Sequence, residues 1–332
     1  MLVGGLRLLG KLLFWMGLAR TVIALAPRRP RVLLYHACEP TETPFIRGLG
    51  SNSPPDRFAL QMAYLVRYYT PVDLNTCLSP ERPQRAVAIT FDDGYRSVYE
   101  HAFPILRAHD LMATVYVIAD AEESMVWVNS VNWILNSHLT DTVREMAAAR
   151  MGVDATAING FDLFVERLDP GAARALASDM AGASGIDLLE LARKSELFLS
   201  RQQMAEMARN GIAFGNHTST HPNLSRASAV EARAEVEGAH RRLSRLPGFI
   251  PSFAYPFGRL SSDAKDEARR LGYTTIMQVG GINEPLDRLA VARQPVAGDF
   301  PAELFANMEV VEPIKAWIRK SGQRARSRRG DP

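Results

Sequence analysis

The stretch Ala86-Val87-Ala88-Ile89-Thr90-Phe91-Asp92-Asp93-Gly94-Tyr95 decides how this chain reads. Its first six residues form a short apolar run with β-branched members, which predicts a buried strand over Val87–Phe91. Two adjacent carboxylates and a glycine follow at once. Charges at the end of a buried strand are costly unless something neutralises them. A metal ion would do so, and the rest of the chain is read for its other ligands.

Working outward, Arg31-Val32-Leu33-Leu34-Tyr35-His36 predicts an earlier strand that ends on a histidine. A Pro-, Gly- and Ser-rich loop over 38–55 leads into a helix with apolar spacing at Phe58, Met62, Leu65 and Val66. Beyond the carboxylates a helix is expected near Ser97–His109, kinked or broken by Pro104. Further strands are predicted at Ala113–Ile118, Ile212–Phe214, Ser252–Tyr255, Thr274–Met277 and Leu289–Arg293. Capping boxes at Ser200–Gln203 and Ser228–Glu231 open two of the intervening helices. The stretch 121–200, rich in Ala, Leu and Met, reads as short helices inserted between two strands.

About seven strand–helix alternations imply a parallel sheet, and no GxGxxG follows an early strand. The expected fold is therefore α/β, a distorted (β/α) barrel of about seven strands with a helical insertion. Its site should lie at the carboxyl ends of the strands.

Composition bounds the function. The chain has 332 residues, enough for one large α/β domain or two smaller ones, with 47% hydrophobic and 23% charged residues. Its formal net charge is only +3, yet residues 319–332 hold six basic residues against the single acid Asp331. This tail reads either as disordered and solvated or as attracted to anionic lipid or nucleic acid; the solvated reading is adopted. No basic run interleaved with aromatics supports nucleic-acid binding. The two cysteines, Cys38 and Cys77, form no CxxC, which removes zinc-knuckle and thiol-redox readings. Residues 1–29 are apolar but interrupted by Arg7, Lys11 and Arg20. An interfacial helix, a signal peptide and a helix packed on the domain compete there. Basic residues beside Leu, Phe14 and Trp15 favour the interfacial helix, and with it a location at a membrane or in the cell envelope, on a side the sequence does not choose.

Gly215-Asn216-His217-Thr218-Ser219-Thr220-His221-Pro222 follows a strand, and two histidines four apart can face one way on a helical turn. Taken alone, the pair reads equally well as loop histidines bonded to backbone. With a carboxylate from another strand end it gives three ligands and an open position, as a catalytic metal requires.

Thr90-Phe91-Asp92-Asp93-Gly94-Tyr95, His217-Thr218-Ser219-Thr220-His221-Pro222 and Phe253-Ala254-Tyr255-Pro256-Phe257-Gly258 together resemble the successive motifs of the polysaccharide deacetylases of carbohydrate esterase family four. The resemblance runs from about Arg31 to Val296. It implies a divalent metal, zinc by preference, held by Asp93, His217 and His221, with Asp92 as catalytic base and the Phe257 backbone N–H as oxyanion donor. It implies removal of acetyl groups from N-acetylated sugars of a glycan, the substrate partner. An O-deacetylase or other amide hydrolase, or a non-catalytic glycan-binding relative, is the alternative.

Two departures stand out. No histidine follows His240, where many members place the acid that protonates the leaving amine. Leu34-Tyr35-His36 instead resembles the early motif of the poly-N-acetylglucosamine deacetylase branch, which makes His36 the acid. Ala254 stands where many relatives carry an arginine that orients the base, and Arg293 is the candidate to replace it. Trp127 and Trp133 can stack on a sugar ring or pack in the core, and packing is preferred.

Overall fold

The computed structural model describes residues 2–158, 161–296 and 298–329. Seven parallel strands close into a barrel: β1 (Arg31–Tyr35), β2 (Ala86–Phe91), β3 (Ala113–Val117), β4 (Ile212–Asn216), β5 (Phe249–Ala254), β6 (Thr275–Val279) and β7 (Val291–Pro295). Each pairs with the next in sequence, and β7 returns to β1 through Leu33 opposite Gln294. The β1–β2 seam runs unbroken from Arg31 opposite Val87 to Tyr35 opposite Phe91. β2 meets β3 only at Thr90 and Phe91, and in the gap this leaves, Thr70 and Pro71 pair with Ala86 and Val87.

β1, β2 and β3 are buried throughout, so they read as near-continuous apolar runs. Alternate side chains divide the core. Val32, Ala88, Tyr116, Ala254, Met277 and Val291 fill the barrel, while Leu33, Tyr35, Ile89, Phe91 and Phe214 pack outward under the helices.

The strand ends differ from the sequence reading by at most three residues, most at β5, where the chain is extended from Phe249. The Ser97–His109 segment does break near Pro104: a π-helical turn, Val98–Ala102, precedes an α-helix, Phe103–Ala108. A proline has no N–H to give the preceding turn, and the wider turn accommodates its ring.

Between β3 and β4 the insertion folds as helices Trp127–Ser137, Asp141–Met151, Asp162–Arg167, Pro170–Ala183 and Leu188–Ser195. They enclose an apolar core of their own, centred on Val131, Ile134, Val143, Phe164, Leu176 and Met180.

The amino-terminal segment forms two helices, Leu2–Trp15 and Ala19–Leu25, which bend by 113° at their junction; neither is long enough to cross a membrane. The first packs on the Pro301–Ala306 helix through Gly10, whose missing side chain lets the two backbones touch: a Cβ there would lie 2.5 Å from that of Ala306. The basic tail departs from its expected disorder. Helix Glu312–Arg329 carries it, because the Arg- and Lys-rich run continues a helix already nucleated on the body. Residues 330–332 of that tail lie outside the described residues.

A buried charge cluster ties this carboxyl-terminal element to the base of the barrel. Glu309, fully buried, accepts from Arg31 Nε at 2.5 Å and Nη2 at 2.9 Å, from Arg29 at 3.3 Å and from the Tyr69 hydroxyl at 3.0 Å. Removing one member of such a cluster strands the others in a medium that solvates them poorly. Glu309→Ala is expected to lower stability by about 3 kcal/mol, read as a drop in the urea midpoint; an unchanged midpoint would show the arginines satisfied elsewhere.

Candidate active site

Every polar group singled out in the sequence except Arg293 sits just past a strand end at one mouth of the barrel. His36 follows β1, Asp92 and Asp93 follow β2, His217 follows β4, and the Tyr255–Gly258 segment follows β5. His36, Asp92, Asp93, His217, His221 and Phe257 line one cavity of about 540 Å³.

The two adjacent carboxylates are separated by backbone conformation. Asp93 adopts a left-handed φ of 71° and Gly94 one of 76°, so the chain turns sharply after Phe91 and the two side chains diverge. Asp92 turns toward β7. There Arg293, fully buried within the barrel, grips it with two bonds, Nη1 to Oδ1 and Nη2 to Oδ2, both 2.6 Å. The guanidinium lies over the Tyr116 ring, 5.2 Å from its centre. Gly215 leaves room for that ring, since a Cβ there would come within 2.5 Å of it. Burial alone would push the Asp92 carboxyl upward. The charges of Arg293 and His217 outweigh burial and hold it below the usual carboxylate range.

Asp93 turns the other way, to His217 and His221. Its Oδ1 lies 3.4 Å from His217 Nε2 and 3.2 Å from His221 Nε2, and the three donor atoms lie within 4.8 Å of one another. That oxygen is buried with no hydrogen-bond partner among the described residues. An orphaned carboxylate oxygen facing two imidazole nitrogens fits a divalent cation. His217 Nδ1 is 2.9 Å from the Ala254 carbonyl, which can only accept; Nδ1 therefore carries the proton and Nε2 is free to ligate. Burial opposes charge on both rings. Asp92 and Asp93 reverse its effect at His217, whose pKa is raised, while burial prevails at His221 and lowers it.

The histidine pair departs from the expected helical turn. Residues 217–223 carry no helix, and Thr218 and His221 are left-handed, with φ of 69° and 60°. Backbone strain of this kind needs support from outside the loop. Glu235, on helix Ala229–Leu243, accepts from the amides of Ser219 and Thr220 at 3.0 and 2.9 Å and from the Thr220 hydroxyl at 2.6 Å. The Asn216 side chain accepts from the Thr218 amide at 2.7 Å. Trp127, from the insertion, donates from its indole to the His221 carbonyl at 2.8 Å. The sequence reading missed Glu235 and Asn216, and of stacking on a sugar ring or packing it preferred packing for Trp127. Trp133 packs on Phe45 and His138, away from the cavity. The other histidines, His101, His109, His138 and His240, do not line the cavity.

Phe257 is left-handed as well, at φ 55°, and its ring packs 4.5 Å from that of His221. Tyr95, one residue past Gly94, is buried beside Asp93, and its phenol is pushed far up by burial and by that charge. Asn129 of the insertion donates to the Tyr95 hydroxyl at 2.9 Å.

This arrangement meets a match to a family model described as polysaccharide deacetylase, over residues 79–158 and 177–276, more than half of the chain. The chain belongs to the polysaccharide deacetylase family. It is also similar to YxkH of Bacillus subtilis, 20% identical over 266 residues, covering 78% of this chain and 66% of that protein. Its fold resembles the Streptococcus pyogenes deacetylase PplD at a TM-score of 0.56, with 22% identity, 86% of this chain and all of that one covered. It likewise resembles IcaB from Ammonifex degensii at a TM-score of 0.54, with 19% identity and coverage of 85% and 98%. His36 and Arg293 lie outside the residues that the family model matches, so the place of His36 in the cavity and of Arg293 behind Asp92 is read from the geometry alone.

Because Glu235 fixes the backbone between the two histidines, its loss should loosen the three-donor cluster without emptying the core. Glu235→Ala is expected to weaken divalent-metal affinity by roughly tenfold to a hundredfold, measured by competition with a chelating dye, with the thermal melt nearly unchanged. Wild-type affinity in that variant would remove Glu235 from the support of the site.

Proposed function

We propose that this protein is a metal-dependent deacetylase that removes acetyl groups from N-acetylated sugars of a glycan, with zinc as its metal. The observation that carries the reading is the division of labour at Asp92-Asp93. One carboxylate faces two imidazoles with an orphaned oxygen, and the other is held ionised by Arg293 at the same mouth.

Asp93, His217 and His221 would hold the ion; one carboxylate and two imidazoles suit zinc. Bound there, a divalent ion would lower the pKa of a water and polarise the acetyl carbonyl. Asp92 acts as general base and takes the proton from the attacking water. Arg293 orients Asp92 and keeps it ionised until it accepts that proton. The Phe257 N–H, held in its left-handed turn, donates to the oxygen that gains negative charge.

His36, at the end of the strand paired with the one that carries Asp92, delivers a proton to the departing nitrogen. That step favours an amide substrate over an ester. An amine leaves poorly without protonation, whereas an alkoxide leaving group depends on it less. Leu49, Val128 and Val165 give the cavity apolar walls against which the face of a sugar ring can lie.

Acetate release should be measured across N-acetylglucosamine oligomers, lipid-linked N-acetylated glycans and O-acetylated sugars. Release from an N-acetylated substrate is expected, and release only from O-acetylated ones would replace the reading with an esterase. Asp92→Asn and Arg293→Met should each cut turnover by about a hundredfold or more while metal content stays at wild-type level; His217→Ala should lose the metal. His36→Ala should slow the amide far more than an acetate ester. Equal losses on both substrates would deny His36 its role as acid.

A further inference from the structure

The helix Leu2–Trp15 has two apolar faces, and the fold uses only one. Gly10, Leu13 and Phe14 turn inward, against Ala306, Val310, Phe305, Tyr64 and Tyr68. On the opposite arc Leu2, Leu8, Leu9, Leu12, Trp15 and Met16 are all exposed, Trp15 at 75%. The carboxyl-terminal helix packs on the same π-helical turn, Asn307–Val311, as this helix does, and it exposes Trp317 at 68% together with Ile318. An outward apolar surface of this extent is uncommon on a protein that meets only water.

The two segments that carry it have charges of one sign. Residues 1–38 contain six basic residues and no acid, and residues 313–330 contain seven and no acid. The nearest carboxylates are already engaged. Glu303 pairs with Lys11 at 2.6 Å, Glu309 is buried among its arginines, and Glu312 binds Lys315 at 2.8 Å. Arg20, Arg28, Arg319 and Lys320 remain exposed.

We propose that the outward face of helix Leu2–Trp15 and the exposed Trp317 edge of helix Glu312–Arg329 form a single docking surface for an anionic lipid membrane. The protein lies on the bilayer with these side chains in the headgroup layer and does not span it. Two indoles beside aliphatic residues suit that layer, where a ring is half in hydrocarbon and half in water. The basic flanks match anionic headgroups. A second copy of this chain is the poorer occupant, since its flanks would set cation against cation.

Flotation of the full-length protein with vesicles tests this directly. Co-migration with phosphatidylglycerol-containing vesicles is expected, about tenfold weaker on pure phosphatidylcholine and again weaker when salt is raised from about 0.1 M to about 0.5 M. Tryptophan emission should shift to the blue on binding. The double variant Leu8→Glu/Leu12→Glu changes only outward side chains, so it should melt as the wild type does and lose at least about tenfold in binding. Arg319→Glu/Lys320→Glu should weaken binding to the anionic vesicles alone. Protein that stays out of the anionic vesicle fraction, wild-type binding by the Leu8→Glu/Leu12→Glu variant, or a dimer that this variant dissociates would each overturn the proposal. Should that variant fail to fold, the lipid and salt dependence of the wild type decides the matter by itself.

Discussion

The paired bonds between Arg293 and Asp92 are the constraint around which the mouth of the barrel is arranged. Both groups are buried, and each offsets the cost of burying the other's charge. The pair joins the last strand to the second across the closed barrel, so its geometry exists only when β7 has found β1. Closing the barrel is what brings the guanidinium to Asp92. The Tyr116 ring beneath the guanidinium, admitted by Gly215, keeps the arginine from swinging away.

The second device is backbone strain spent at the site. Asp93, Thr218, His221 and Phe257 are all left-handed without being glycine, and all four border the three-donor cluster or belong to it. Each departs from the ordinary path of the chain and aims a side chain or an N–H where a relaxed turn would not. Glu235, Asn216 and Trp127 supply the hydrogen bonds that hold the histidine loop in this form.

Much of this was legible in the sequence because parallel strands covered on both faces are written as continuous apolar runs, each followed by its polar end. That is why Val87–Phe91 and the residues after it could be read directly. Three motifs in order then pointed to the donor cluster, and the missing arginine at Ala254 pointed to Arg293 as a candidate partner for Asp92. The histidine pair was misread as a helical turn, since nothing in Thr218-Ser219-Thr220 announces a left-handed residue. Glu235 and Trp127 act through contacts between distant segments, with Trp127 lying 94 residues from the carbonyl it binds. Local pattern cannot show such contacts. The tail looked disordered by charge, yet a helix begun on a docked turn carries it onward.

The insertion between β3 and β4 has its own apolar core, yet it walls the cavity and meets the site through only a few specific bonds, among them Trp127 to the His221 carbonyl and Asn129 to the Tyr95 hydroxyl. The barrel's strand ends thus supply the donor cluster and Asp92, while the insertion supplies part of the cavity wall and two polar contacts. A change on the outer surface of the insertion leaves those strand ends untouched, as long as one indole and one amide still each deliver a hydrogen bond at the mouth of the barrel.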